Sequence, residues 1–321
     1  MKLGILGAGM IVKEVLPVLK EAEIEIAGIC ATKRSEKKLE ELSSKYDIEN
    51  YYLDFDEMLK NSKIDTVYVA LPNLLHFDAC KKALNSGKNI ICEKPFTVKY
   101  EELVELKKIA EEKELILIEA ITTQYIENYI EIKNKVKNGE LGDIKLVIAN
   151  YSQYSSRYDN FKKGIIAPSF DPKFAGGSLM DLNIYNIHFI CGIFGRPENV
   201  IYSPVIENNI DVSGILLLQY KDFECAAIAS KACNCDNHVQ IEGTKAAITM
   251  SRPANECSSY EIFIKGKERE SFNSNKYSHR MQSEFVEFKR IIDSKDYRKA
   301  EEMMKNSLIV MEIIDKARKF I

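Results

Sequence analysis

A two-glycine turn between a short apolar run and an amphipathic segment constrains this chain more than any other feature. Residues 2–6 read as a β-strand, residues 11–21 as a helix, and Gly7-Ala8-Gly9 joins them. Such a turn lets the backbone bend sharply and approach a bound group, while the first N–H groups of the helix present partial positive charge. The alternation continues, with strands expected over residues 24–31, 66–71, 89–92 and 115–119, and helices over 36–46, 74–85 and 101–113. Thr97 and Glu101 stand near the start of the last helix, along which Leu103, Leu106, Ile109 and Ala110 recur at helical spacing. Strands that alternate with helices require crossover connections and a parallel sheet. Residues 1–120 are therefore expected to form a doubly wound Rossmann-type α/β domain that binds a dinucleotide.

Past residue 120 the pattern changes. A helix is expected over 127–138, a strand over 144–154, an irregular stretch to 174 and a helix over 177–194. Strands follow near 200 and over 215–220, 225–232, 239–241, 246–250 and 260–264, before helices over 282–293 and 300–320. Successive strands without helices between them argue for a large, open, mostly antiparallel sheet. Residues 121–321 are expected to form an α+β domain for substrate binding and oligomerisation, with its C-terminal helix packed back on the first domain. A length of 321 residues accommodates two such domains.

Composition removes several classes of function. The 45 Lys and Arg against 48 Asp and Glu leave a net charge of −3, which lacks the basic footprint of a nucleic-acid binder. No apolar run reaches the ~18 residues of a membrane span, so no membrane partner is expected. The apolar residues 3–12 behind Lys2 mimic a secretory signal, but Lys13 and Glu14 end the run and no small-residue cleavage pattern follows. The eight cysteines are dispersed, as reduced thiols are, and a cytoplasmic location is expected. Cys233 and Cys235, with His238 nearby, are too few for a structural zinc site and read as two same-face strand residues; no metal is expected.

The glycine turn places Gly7, Gly9, Met10 and Ile11 where a pyrophosphate would meet the helix N-terminus. Val12 stands where a third small residue is usual. The second strand runs into Thr32-Lys33-Arg34, with no Asp or Glu to hold the ribose hydroxyls of NAD. A hydroxyl and two cations suit a 2′-phosphate instead, so NADP(H) is favoured over NAD(H).

Two further segments, Leu71-Pro72-Asn73-Leu74-Leu75-His76 and Glu93-Lys94-Pro95, follow consecutive strands. With the glycine turn, and with Glu119-Ala120, residues 139–144 and residues 176–185 in the same order, they make the chain closely resemble the Gfo/Idh/MocA oxidoreductases over nearly its whole length. The resemblance implies an NAD(P)-dependent dehydrogenase or reductase acting on a secondary alcohol or carbonyl of a sugar, cyclitol or related polyol. It places Leu71, Pro72, Asn73, His76, Glu93 and Lys94 along the cofactor cleft and makes His76 a residue that shapes the nicotinamide site. Relatives carry His or Tyr at the position of Tyr185, and this chain resembles the tyrosine subgroup that includes dihydrodiol dehydrogenase. Such relatives commonly form homodimers or homotetramers through the C-terminal sheet.

Residues four and seven apart on an α-helix are rotated by roughly 40° and roughly 20°, so Asp181, Tyr185 and His188 are expected on one face. A tyrosine, with an unperturbed pKa of ~10, needs a neighbouring positive charge to exchange protons readily, and Lys94 would supply it. Tyr185 is then the proton carrier, Lys94 polarises the same oxygen, and Asp181 orients substrate or Lys94. His188 matches no motif and is expected to be a satisfied, partly buried histidine. Three positions depart from the family pattern: Val12, Asn183 where Gly is common, and Gln124 where Arg is frequent. If they mark lost chemistry, the alternative is a non-catalytic dinucleotide-binding sensor or regulator.

Overall fold

The computed structural model describes all 321 residues, which divide into two compact units. One comprises Met1–Ala120 with Met281–Lys305, the other Ile121–Arg280 with Asn306–Ile321. Met281–Lys305, which the sequence reading put in the second domain, thus fold with the first unit.

The first unit is built on β1 (Lys2–Leu6), α1 (Met10–Glu21), β2 (Glu25–Cys30), α2 (Glu36–Tyr46), β3 (Tyr51–Tyr52), α3 (Phe55–Lys60), β4 (Thr66–Val69), α4 (His76–Asn85), β5 (Asn89–Glu93), α5 (Tyr100–Glu112) and β6 (Leu117–Ala120). The six strands are all parallel, in the order β3-β2-β1-β4-β5-β6. Leu3, Ile5, Val67, Val69, Ile90 and Ile91 are fully buried, as expected of a sheet covered on both faces. The strand order reverses between β1 and β4, the switch point where open α/β sheets bind ligands at their carboxyl ends. The short β3 and α3 are absent from the sequence reading because a two-residue strand and a six-residue helix carry too little periodicity. Helix α5 begins differently from expectation. Its N-cap is Lys99, and the Glu102 carboxylate accepts from the N–H of Val98 (3.1 Å) and Lys99 (3.2 Å).

The second unit contains α6 (Glu127–Lys137), β7 (Ile144–Ser152), α7 (Tyr158–Lys162), a π-helical turn (Leu179–Asn183), α8 (Ile184–Phe194), β8 (Asn199–Glu207), β9 (Ile210–Gln219), β10 (Glu224–Ser230), β11 (His238–Gly243), β12 (Ala247–Met250), β13 (Tyr260–Phe263) and β14 (Glu270–Phe272). Its eight-stranded sheet has the order β14-β13-β12-β11-β7-β10-β9-β8, with only β7 and β10 parallel. Along β9, Leu216 and Leu218 are buried while Ile215 and Leu217 are exposed, so one face is core and the other carries apolar side chains outward. Helices α9 (Gln282–Asp293) and α10 (Tyr297–Ala317) complete the chain; α9 belongs to the first unit, where Phe285 meets Tyr68 edge-on. No helix is long and apolar enough to cross a membrane.

Cys233 and Cys235 do not lie on a strand. They occupy the loop between β10 and β11, whose Asn234 and Asn237 side chains accept from the backbone N–H of Tyr154 and Ser152, both at 2.7 Å. Asn side chains there take over hydrogen bonds that a ladder would otherwise make, so alternation in the sequence outlasts the strand.

Candidate active site

In the first unit the glycine turn uses its two glycines for different ends. Gly7 has φ +128°, and a Cβ there would lie 2.2 Å from the carbonyl oxygen of Ala70 at the end of β4, so folding alone demands glycine. Gly9, the N-cap of α1, has φ −72° and open space where its Cβ would be. Nothing in the fold requires glycine at that position, and the open space leaves the backbone accessible. Met10, 73 % exposed, and half-buried Ile11 follow, and the first turn of α1 carries no acidic side chain. The N–H groups of that turn suit a pyrophosphate. Val12 points the other way, fully buried, and fills helix-to-sheet packing space that a small residue would leave.

The end of β2 runs into exposed Thr32, Lys33 and Arg34, the last two opening a single 3-10 turn. Lys38 of α2 is held below its ordinary pKa by burial and by the charge of Lys13 on α1. This basic rim fits an adenosine 2′-phosphate.

After β4, half-buried Leu71 and Asn73 flank exposed Pro72. His76 is fully buried, with Nδ1 2.9 Å from the carbonyl oxygen of Pro95 and Nε2 2.8 Å from that of Leu71. Burial pushes its pKa down against the pull of these carbonyls. A ring so enclosed holds two loops together and is out of a ligand's reach. The Glu93-Lys94-Pro95 segment is tied from several sides. Tyr68 donates to Glu93 Oε1 (2.5 Å), Glu93 Oε2 accepts from the Lys94 N–H (3.3 Å), and Glu119 Oε1 accepts from the Phe96 N–H (3.1 Å). Glu93 and Glu119 are both buried, whereas Lys94 remains half-buried at the carboxyl edge of β5. The fold therefore fixes the backbone on both sides of Lys94.

In the second unit the expected single helix over 177–194 is broken in character: its first turn is π-helical and only Ile184–Phe194 is α-helical. Asp181 therefore lies in the π-helical turn, whereas Tyr185 and His188 lie on the α-helix that follows it. Asp181, with 36 % of its side chain exposed, accepts from Lys231 Nζ at 2.8 Å. Tyr185 is 9 % exposed and its ring packs 6.0 Å from that of Tyr151. His188, expected to be partly buried, is fully buried, with Nδ1 3.2 Å from Asn306 Nδ2. The turn is capped by Asp211, whose Oδ2 accepts from the N–H of Leu179 and from the Tyr202 hydroxyl, both at 2.7 Å. Burial pushes the Asp211 carboxyl up to about 6.

The other two departures are also absorbed by packing. Asn183, fully buried, donates to the carbonyl of Ala227 on β10 (3.0 Å), and Gln124 donates to the carbonyl of His188 (2.7 Å). They bind backbone within the fold, which removes the support that a non-catalytic sensor drew from them. Sequence reasoning missed Lys231 and Asp211, each remote in sequence from the turn it serves.

A family model described as the oxidoreductase family with an NAD-binding Rossmann fold matches residues 1–121, and a second, the GFO/IDH/MocA C-terminal domain, matches residues 129–249. The chain is 30% identical over 290 residues to the scyllo-inositol 2-dehydrogenase (NADP(+)) IolU of Bacillus subtilis, covering 89% of this chain and 87% of that protein. It is 28% identical over 275 residues to the trans-1,2-dihydrobenzene-1,2-diol dehydrogenase of Xenopus tropicalis, covering 84% of this chain and 80% of the relative. Among solved structures, KijD10, a 3-ketoreductase from Actinomadura kijaniata crystallised with NADP and TDP-benzene, superposes with a TM-score of 0.85 at 19% identity. That match covers 99% of this chain and 97% of the other, and it speaks for the shared fold.

Proposed function

The chain belongs to the Gfo/Idh/MocA family of NAD(P)-dependent oxidoreductases, and from that premise we propose that it interconverts a secondary alcohol and a carbonyl on a cyclitol, sugar or related polyol. A bound nicotinamide supplies the hydride acceptor or donor. Gly7, Gly9, Met10, Ile11, Leu71, Pro72, Asn73 and Glu93 would line its site, with Thr32, Lys33 and Arg34 at the 2′-phosphate. Tyr185 exchanges the proton of the reacting hydroxyl through its phenol oxygen. Lys94 donates a hydrogen bond to the same substrate oxygen and stabilises the negative charge that grows as the proton leaves. Asp181 accepts from a second substrate hydroxyl and so orients the ring.

The observation that carries this reading is the architecture around Lys94, where Glu93, Glu119 and His76 fix the flanking backbone and leave the lysine itself half-buried. Replacing Tyr185 by Phe is expected to lower kcat by about 10²–10⁴-fold, the usual contribution of a general acid–base group. Cofactor affinity, measured by fluorescence titration, stays unchanged. A Tyr185→Phe protein that turns over scyllo-inositol at the parent rate would refute the mechanism.

We further propose a preference for NADP(H), supported by the cations at the end of β2; tighter binding of NADH than NADPH in the same titration would reverse it. The outward sheet face, with Ile201, Val205, Ile215, Leu217 and Phe263 between 38 % and 55 % exposed, supports a homodimer or homotetramer joined there. Sedimentation velocity that returns only monomer would end that proposal. All eight cysteines stand free, which suits the reducing cytoplasm.

A further inference from the structure

Lys231 follows β10 directly, and its side chain is only 2 % exposed. Its backbone is fixed on both sides: the N–H donates to the carbonyl of Val212 (2.8 Å), and the carbonyl accepts from the N–H of Ser155 (2.9 Å). An ammonium buried this deeply costs several kcal/mol unless its donors are met by charge and good acceptors. They are met here by Asp181 Oδ2 at 2.8 Å and the carbonyl of Ser169 at 2.6 Å, with the face of Phe170 4.2 Å away. An apolar side chain of similar volume would fill the space without that desolvation, so packing does not account for a lysine.

The three partners are not scattered. Asp181 lies in the π-helical turn that leads into Tyr185, and Ser169 and Phe170 belong to the segment just before it. The Ser169 carbonyl also accepts from the N–H of Gly177 (3.1 Å), which closes that segment back on the start of the turn. One ammonium thus joins the carboxylate to the backbone that precedes it. Lys231 engages one oxygen of Asp181, and the side chain keeps a third of its surface open.

We propose that Lys231 is a positioning residue for the hydride-transfer site, which it serves by holding the Asp181 carboxylate ionised and in one orientation, as an acceptor for a second substrate hydroxyl. This rests on the role given to Asp181 above. Asp181, so held, orients the substrate and does not carry the proton.

The test is a double-mutant cycle read as kcat/KM for oxidation of scyllo-inositol with NADP⁺, using Lys231→Met, Asp181→Asn and the pair combined. Lys231→Met is expected to lose about 10²-fold, the scale of a misplaced site group, with NADP⁺ affinity unchanged. The acid limb of its pH profile moves to higher pH, because the carboxylate has lost its counter-ion. Lys231→Arg restores most of the activity. In the Asp181→Asn background Lys231→Met costs nothing further. An undiminished Lys231→Met enzyme, or losses that multiply in the double variant, overturn the positioning role. The double variant leaves no unpaired charge buried and keeps the cycle readable where Lys231→Met alone does not fold; it then matches Asp181→Asn in kcat/KM, and a further loss overturns the proposal. Full activity of Asp181→Asn alone instead overturns the underlying reading of the site, as does a parent enzyme inert toward scyllo-inositol and a panel of other polyols and sugars.

Discussion

The two units hold their candidate catalytic residues by different physics. Around Lys94 the first unit uses the ends of adjacent parallel strands: a buried carboxylate on each side, Glu93 and Glu119, accepts from backbone N–H groups, and His76 bridges two carbonyls. Around Tyr185 the second unit uses a distorted helical turn whose first and middle residues are gripped by buried charges, Asp211 at Leu179 and Lys231 at Asp181. The first arrangement is made almost entirely by residues within each motif or on the neighbouring strand. The second is assembled from side chains 32 and 50 residues away along the chain. The first unit therefore holds its candidate lysine through local motifs, and the second holds the turn before its candidate tyrosine through long-range polar contacts.

The sharpest way to probe this contrast is to remove the lysine that the first unit holds. Lys94→Met should lower kcat by about 10²–10³-fold, the cost of losing one donor to a developing negative charge. Its melting temperature should stay within a few degrees of the parent, since the flanking hydrogen bonds are made by backbone. A large fall in melting temperature would mean that the loop depends on the lysine itself.

The glycine turn gives a paired experiment of intermediate size. Gly7→Ala meets the Ala70 carbonyl at 2.2 Å in a left-handed backbone, so it should destabilise the first unit by roughly 1–3 kcal/mol in urea unfolding. Gly9→Ala meets nothing and should unfold like the parent, yet bind NADPH at least about tenfold more weakly, because the methyl occupies ligand space. Equal cofactor affinity in Gly9→Ala would remove the basis for placing the pyrophosphate there.

An effect confined to a change of pH concerns the second unit's charges. The Asp211 carboxyl is raised in the folded protein to about 6, above its unfolded value of ~3.9. The stability it contributes is therefore full below about pH 4 and lost as pH rises through about 6. Asp211→Asn, which keeps an oxygen for Leu179, should match the parent near pH 4 and exceed it by up to ~3 kcal/mol at pH 7. Parallel stability curves for the two proteins across that range would show that burial does not dominate at this carboxylate.

Legibility in the sequence follows the same division. The doubly wound sheet and the open second sheet were readable from β-α alternation and then from successive strands, since each depends on periodicity within about ten residues. The strand-end positions of Gly7, Thr32, Asn73 and Lys94 were readable because each follows a strand that local periodicity locates. Lys231 was not, because a lone lysine after a strand looks like any solvated end until the fold buries it. Nor was the π-helical turn, since its residues Leu179-Met180-Asp181-Leu182-Asn183 fit α-helical spacing and only the folded backbone shows the wider winding. The three departures at Val12, Asn183 and Gln124 looked functional for the same reason: sequence shows a changed residue but not the carbonyl or core it faces.

The borders of the second sheet decide how that surface can grow. On one side β8 is nine residues long, but Pro204 in its middle has no N–H to offer an incoming strand. On the other, β14 is three residues with Glu270 at its start and Arg269 just before it. Neither border templates a continuous ladder, so the sheet resists being lengthened by an incoming strand. At high concentration the protein should yield particles of fixed size and resist conversion to fibrils.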